Sequence, residues 1–357
     1  MDRRAIEGTR KSRGEIADVG WRGEPDHVCT LTKSRRHVRH RPHTRRVLRY
    51  HRRFARQVRR SLTGEPHMRR SGWLVALPLA ATIFGGCASA SKTTPTSASA
   101  GAALTLWKSG AAAFGMFVPN ERPPAPPAAG ATRLPPLYTE AGAKALAENP
   151  LLDYLFLNLE GAYDANAVRA MATGIRMSGT TTRPTLLVRI PTIEAAGVEL
   201  TRARVKEVLG LGADGVVIPH VRSAAEARTA AAFFTEAGAN VWSPANPKGT
   251  VIAMLMVEDK GAIVELPEIA AVQGYSLLSC GIGSLTQNMG GDAPGAEAAC
   301  QRARDLGAKA GMPSMMTASA STIKNRIEKG YLGLLLSGTA DQASAIIRTG
   351  RPIAKRP

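Results

Sequence analysis

Four cysteines in 357 residues are too few for a disulfide framework. Cys280 and Cys300 are the last two thiols, and we read them as small buried residues rather than as a pair. Histidine is equally sparse where it would matter. Six of the seven lie at or before His67, so any imidazole chemistry in the remaining chain falls on His220. Acidic charge is short at the start: residues 1–67 hold 19 Lys plus Arg against 7 Asp plus Glu, which is +12 of the formal net charge of +19. Apolar residues are few there and keep no period, so that stretch cannot bury enough surface to fold alone. A long apolar run is missing as well, since the apolar core after Arg70 is too short to span a bilayer as a permanent helix.

What is present begins with two readings of residues 1–67. They form a basic disordered arm suited to nucleic acid, or they precede the true start at Met68 and are not translated. The second is preferred, because Met68-Arg-Arg-Ser-Gly-Trp and the apolar core that follows have the order of a secretory signal peptide. Phe84-Gly-Gly-Cys87 resembles a bacterial lipobox, which implies cleavage after residue 86 and a lipid on Cys87. Ala88, rather than Asp, suits onward sorting to the outer membrane. Residues 87–104, rich in Ala, Ser and Thr, read as a flexible tether. The expected organisation is a signal peptide over 68–86, a tether over 87–104 and one domain over 105–357. The protein would then be lipid-anchored in the cell envelope, on the periplasmic face of the outer membrane, with no nucleic-acid partner.

From residue 112 the chain alternates. Short β-branched or apolar runs predict strands at 112–118, 154–160, 185–190, 215–219, 251–257, 275–279, 309–312 and 332–336, with helical periodicity between them. Asp164 caps one helix and Ser223, with Glu226 three residues on, caps another. Residues 260–269 read as one helix. Eight strands alternating with helices give an α/β fold, a (β/α)8 TIM barrel, whose usual length of roughly 250 residues fits the domain. The Pro- and Ala-rich piece 121–136, containing Pro123-Pro-Ala-Pro-Pro127, reads as a long loop at the barrel mouth.

In such a barrel the strand interiors pack and the residues at the strand C-termini line the site. Glu160, Arg189, His220 and Glu258 occupy that position on four consecutive strands, with Asp259 beside the last. An arginine can clamp a carboxylate or a developing enolate oxygen, a lone imidazole can move a proton, and glutamates can hold a hard cation. Cleavage of a carbon–carbon bond next to a carbonyl needs these functions. Each residue also has a plainer use as an ion pair or a loop hydrogen bond, and the recurrence is what singles them out. Gly281, Gly283 and Ser284 form a turn whose N–H groups could clamp a carboxylate or phosphate, or simply turn the chain tightly.

Several stretches are similar to the HpcH/HpaI aldolase and citrate lyase family, from about Trp107 to Arg351. They are Leu159-Glu-Gly-Ala-Tyr-Asp164, Leu187-Val-Arg-Ile-Pro191, the long block from Gly212-Ala-Asp-Gly to Ala-Glu-Ala227, Met256-Val-Glu-Asp259 and Cys280-Gly-Ile-Gly-Ser-Leu285. The resemblance implies a barrel, assembly as dimers or hexamers, and a divalent metal such as Mg or Mn held by a Glu and an Asp. It also implies cleavage or formation of a carbon–carbon bond through the enolate of a 2-oxo acid. The family's arginine matches Arg189 and its metal Glu matches Glu258. Its metal Asp falls on Ser284, the Gln before the metal Glu falls on Met256, and its Asp-x-Glu-His base signature reads Asn158-Leu-Glu-Gly161. One carboxylate with a hydroxyl would hold Mg or Mn poorly.

Two functions follow as expectations. One is an aldolase-type carbon–carbon lyase acting on an adduct of a small oxo- or hydroxy-acid and an aldehyde, with His220 replacing the missing base and Glu160 orienting it. The other is a non-catalytic lipoprotein that binds a small acid on the same barrel. Phe117, Trp242, Met256 and Met289, with the Pro-rich loop, lean towards an apolar aldehyde partner or towards packing between subunits. Peptide mapping of the protein from its own membranes is expected to begin at a lipid-modified Cys87. A first peptide from residues 1–67 would contradict the export reading.

Overall fold

The computed structural model describes residues 101–122 and 134–356. The basic segment, the signal-like stretch, Cys87 and most of the Pro-rich loop lie outside the described residues. The strands are β1 Ala113–Phe117, β2 Tyr154–Asn158, β3 Thr185–Arg189, β4 Gly215–Ile218, β5 Ile252–Val257, β6 Leu277–Cys280, β7 Met315–Thr317 and β8 Gly333–Leu336. The helices are α1 Ala102–Lys108, α2 Glu140–Ala147, α3 Ala165–Met177, α4 Ile193–Ala196, α5 Val198–Gly210 and α6 Ala224–Glu236, followed by α7 Lys260–Val264, α8 Leu266–Ala270, α9 Ile282–Asn288, α10 Ala293–Lys309, α11 Ile323–Glu328 and α12 Ala340–Ile353. Every strand pairing is parallel, and the order β6-β5-β4-β3-β2-β1-β8-β7 wraps the sheet into the (β/α)8 barrel that the alternation predicts. Between β6 and β7 there is a seam. Among the described residues no backbone ladder joins these two strands, and the Ser279 hydroxyl donates across the gap to the Met315 carbonyl at 3.0 Å.

The strands are apolar throughout because both of their faces are buried. Tyr154, Phe156, Leu187, Val217, Met254, Met256 and Leu335 point into the barrel, while Leu155, Leu157, Leu186, Val188, Val216, Ile218 and Leu255 point outward onto the helices. Fully burying one such side chain contributes about 1.5–3 kcal/mol. Asp164 caps α3 by accepting from the Asn166 N–H at 2.8 Å, and Ser223 caps α6 by accepting from the Glu226 N–H at 3.1 Å. Glu226 does not complete the capping box on Ser223; its carboxylate accepts instead from the Arg222 N–H at 2.8 Å.

The N-terminal end of the barrel is closed by α1, whose first residues, 102–104, were expected to belong to the flexible tether over 87–104. Trp107 donates its indole N–H to the Leu332 carbonyl at 2.9 Å and packs against Tyr154, with ring centroids 5.8 Å apart. The Ala103 N–H donates to the Thr185 hydroxyl at 3.1 Å, so the plug is tied to the first residue of β3. At the same end Asp153 accepts from the Phe114 N–H and Asp214 from the Leu186 N–H, both at 2.8 Å. Arg356 and Arg183 pair with these two carboxylates.

Three expectations need correction. The strand predicted at 309–312 is the end of α10 and the loop after it, and β7 lies at Met315–Thr317. Gly307 sits inside α10, where a Cβ would come within 3.2 Å of the Ser314 hydroxyl, so its glycine serves close packing. The helix predicted at 260–269 breaks at Glu265, and Pro267, which has no N–H to satisfy, lies in the first turn of α8. Cys280 and Cys300 are not separate buried thiols. They form a disulfide, with Cα atoms 5.4 Å apart, joining the end of β6 to the middle of α10.

A disulfide closing a loop of that length contributes about 3 kcal/mol in the chain-entropy model. A Cys280→Ala/Cys300→Ala variant is expected to unfold at lower denaturant by about that free energy. Two alkylatable thiols at these positions in the untreated, unfolded parent protein would contradict the bond.

Candidate active site

Parallel closure brings four strand ends to one rim, and the groups expected there meet. Arg189, the last residue of β3, donates from Nε to Asn158 Oδ1 at 2.8 Å and from Nη2 to Glu160 Oε2 at 2.6 Å. The other oxygen of Glu160, Oε1, stands 3.4 Å from His220 Nε2. The same imidazole nitrogen is 3.8 Å from Glu258 Oε2, while Glu258 Oε1 is 4.0 Å from Arg189 Nη1. On its far side the imidazole meets Asp259, with Nδ1 and Oδ2 3.0 Å apart. Asn158 and Asp259 were in view in the sequence, but the roles their neighbours give them were not.

Local structure explains these positions. Pro219 ends β4, and His220 takes φ +51°, a left-handed conformation uncommon for a residue with a side chain. The next N–H, of Val221, donates to the Met256 carbonyl at 2.9 Å, which anchors the turn on β5. Glu258 is fully buried. Gly281 makes room for it, since a Cβ there would lie 2.2 Å from Glu258 Oε2. Asn288, at the end of α9, donates to the Glu258 carbonyl at 3.1 Å and holds the backbone in place.

A cavity of about 150 Å³ opens beside these groups, with Arg189, Glu258 and Ser284 on its polar side and Phe117, Phe156, Met256 and Met315 on its apolar side. Gly281 and Gly283 line it too, but the segment they belong to opens α9 rather than forming a tight turn. Met316 and Thr317 of β7 also reach the cavity, residues overlooked while that strand was misplaced. Of the apolar residues expected in the pocket, Phe117 and Met256 line it. Trp242 packs in the barrel interior and Met289 against the outer core. A larger hollow of about 600 Å³ lies on the outer wall against α6 and the turn after α8, away from all of these groups.

Neither oxygen of Glu258 accepts a hydrogen bond of good geometry. Burial pushes its carboxyl up from the usual glutamate range, and Glu160 adds to the rise, while His220, the Ser284 hydroxyl and Arg189 pull the other way. The site therefore pairs a fixed cation with a carboxyl group that ionises less readily than a free one.

Over residues 143–324, just over half of the chain, the sequence matches the family model for HpcH/HpaI aldolase/citrate lyase. The chain belongs to the HpcH/HpaI aldolase/citrate lyase family. This is a family of carbon–carbon lyases. Among solved structures, the chain is similar to an HpcH/HpaI aldolase/citrate lyase family protein from Burkholderia cenocepacia J2315, with 20% identity, a TM-score of 0.51, and coverage of 71% of this chain and 97% of that one. It is similar to the HpcH/HpaI aldolase from Desulfitobacterium hafniense DCB-2, at 20% identity and a TM-score of 0.50 over 71% and 96%. It is also similar to the citrate synthase SbnG, at 13% identity and a TM-score of 0.50 over 71% and 96%. These likenesses show the fold. A comparison with curated proteins finds no match by sequence.

The family implies a divalent cation at Glu258. Around that carboxylate stand the Ser284 hydroxyl, a guanidinium and an imidazole, the nearby Glu160 being engaged by the guanidinium, and among the described residues no three His, Cys, Asp or Glu side chains are grouped so as to hold a metal. Hard cations are retained chiefly by several carboxylate or carbonyl oxygens. This donor set does not fit Mg or Mn.

The raised Glu258 carboxyl has a consequence for stability. Ionising it costs more in the folded chain than in the unfolded one, so its burial carries no penalty at low pH and an increasing one as pH rises from the unfolded glutamate range through the folded value. A Glu258→Gln variant, which cannot ionise, is expected to match the parent's thermal midpoint near pH 4 and exceed it near pH 8, the unfolded glutamate value being about 4.3. Equal midpoints at both pH values would show that the carboxyl ionises without penalty.

Proposed function

We propose that this barrel is a lyase that splits, or forms, the carbon–carbon bond between a small 2-oxo acid and an aldehyde, with Arg189, His220, Glu160 and Glu258 as its working groups. The observation that carries the reading is the division of Glu160. One of its oxygens holds the Arg189 guanidinium and the other faces His220 Nε2, at the edge of a cavity about large enough for a small acid.

In the cleavage direction Arg189 takes the substrate's carbonyl oxygen, with its carboxylate beside it, in place of part of its contact with Glu160. His220 Nε2 removes the proton of the hydroxyl group β to that carbonyl. The hydroxyl oxygen becomes the aldehyde as the carbon–carbon bond breaks, and the electron pair moves into the 2-oxo acid as an enolate, whose oxygen the guanidinium stabilises. The enolate carbon then takes a proton back from the imidazolium, which returns His220 to its starting state. The apolar wall of Phe117, Phe156, Met256 and Met315 receives the aldehyde's carbon chain.

A second reading, a small-acid-binding protein on the same barrel, is favoured by Gly161 and Ser284, where the family's base and metal Asp would stand. On either reading we place the protein in the oxidising cell envelope, held by a lipid on Cys87. The Cys280–Cys300 bond supports that compartment, because structural disulfides persist where thiols are not kept reduced.

Exchange of the pyruvate methyl protons in heavy water, followed by NMR on the full chain, tests enolate formation without requiring the true aldehyde. Exchange is expected without added metal, and Arg189→Ala should lower its rate by about 10²–10³-fold, as the loss of an oxyanion donor does elsewhere. Exchange that appears only with Mg²⁺ or Mn²⁺ would contradict the metal-free route, and no exchange under either condition would favour the binding protein.

A further inference from the structure

We infer that Asp259 is a positioning residue that fixes the tautomer and orientation of His220, so that the imidazole presents a bare Nε2 on the side of Glu160 and Glu258. This rests on the proposed lyase reading for its catalytic meaning, but the geometry behind it is separate. Asp259 is the N-cap residue of α7, with extended backbone, and its carboxylate makes no capping hydrogen bond. An aspartate at an N-cap ordinarily accepts from its own helix, a contact typically worth about 1 kcal/mol. Asp164 and Asp292 do this in the same barrel, accepting from the Asn166 and Gly295 N–H groups. Asp259 instead turns its Oδ2 to His220 Nδ1 at 3.0 Å.

The histidine side of the contact is also held against a local preference. His220 keeps a left-handed φ of +51°, and conformations of that kind persist where surrounding contacts over-determine them. Here those contacts are the Val221 N–H on the Met256 carbonyl and the Asp259 carboxylate on Nδ1. A carboxylate can only accept, so the contact selects the imidazole tautomer with its proton on Nδ1. Nε2 is left as a lone pair 3.4 Å from Glu160 Oε1 and 3.8 Å from Glu258 Oε2. That is the nitrogen the hydroxyl proton must reach. Asp259 therefore holds the ring from behind, at the shortest of its carboxylate contacts, while the reacting nitrogen makes no hydrogen bond to Glu160 or Glu258.

Nitrogen-15 NMR of the histidine side chains in the full chain, at alkaline pH where imidazoles are neutral, reads the tautomer directly, with His220→Gln assigning the resonance. The parent is expected to show His220 protonated on Nδ1. Asp259→Asn, whose amide can donate to Nδ1, is expected to move the proton to Nε2 and to slow pyruvate exchange by at least about 100-fold, because an aspartate-to-asparagine change behind a catalytic histidine acts through the wrong tautomer. Asp259→Glu, which keeps an acceptor, should restore the Nδ1–H form and part of the rate. A parent imidazole protonated on Nε2 would overturn the inference, as would an Asp259→Asn variant that loses only thermal stability and keeps its tautomer. If Asp259→Asn fails to fold, the parent spectrum and the Asp259→Glu variant decide the question. Because the tautomer is read without substrate, a parent that gives the Nδ1–H form but no exchange would retain the positioning and remove the lyase reading.

Discussion

A carboxyl group with no access to water must be matched by its surroundings, and at Glu258 the match comes from other strands. Arg189 approaches from the end of β3, His220 from the turn after β4, and Gly281, after β6, supplies the space that a side chain would have filled. None of these is near Glu258 in sequence, and only a closed parallel sheet carries them to one rim. The two basic groups in turn have partners. Glu160 pairs with Arg189 and stands 3.4 Å from one imidazole nitrogen, and Asp259 takes the other. Three acidic groups thus surround one guanidinium and one imidazole. An incoming carboxylate would be held by taking over part of the Arg189 contact with Glu160, and charged hydrogen bonds of this kind fix geometry as much as they bind.

The two ends of the barrel divide the work. At the N-terminal end α1 fills the opening with Leu104 and Trp107, and Asp153 and Asp214 each tie a neighbouring strand's N–H to an arginine. These contacts complete hydrogen bonds that a buried backbone cannot leave unmade. The opposite end keeps its unmade contacts. There the Glu258 oxygens lack good donors, and a buried polar group in that condition costs free energy unless a ligand or water meets it. Glu258 is such a group on the cavity wall, where a substrate would meet it.

Most of the fold was legible from the sequence because strands buried on both faces leave continuous apolar runs that end sharply. Tyr154–Asn158, Thr185–Arg189 and Ile252–Val257 are visible for that reason, and so are Glu160, Arg189, His220 and Glu258 just past or at their ends. β7 was not, since a strand of only three residues, Met315–Thr317, carries too little pattern to be placed. The disulfide was hidden because separation along the chain says nothing about distance across a βα unit. Asp259 was seen, but the chain alone offers it two partners, the N–H groups of its own helix or a side chain on the preceding strand end. Choosing between them is a tertiary decision.

The seam between β6 and β7 gives the barrel a mechanical character that a fully laddered ring would lack. Seven ladders resist stretching with many backbone hydrogen bonds, while at the eighth position the Ser279–Met315 contact bears the load. Such a ring behaves as a split collar. Its compliant direction is the one that moves Ser279, Cys280 and Gly281 away from Met315, Met316 and Thr317, and these residues are opposite walls of the cavity. The disulfide fastens one lip of the collar to α10, so the other lip is the one left to give.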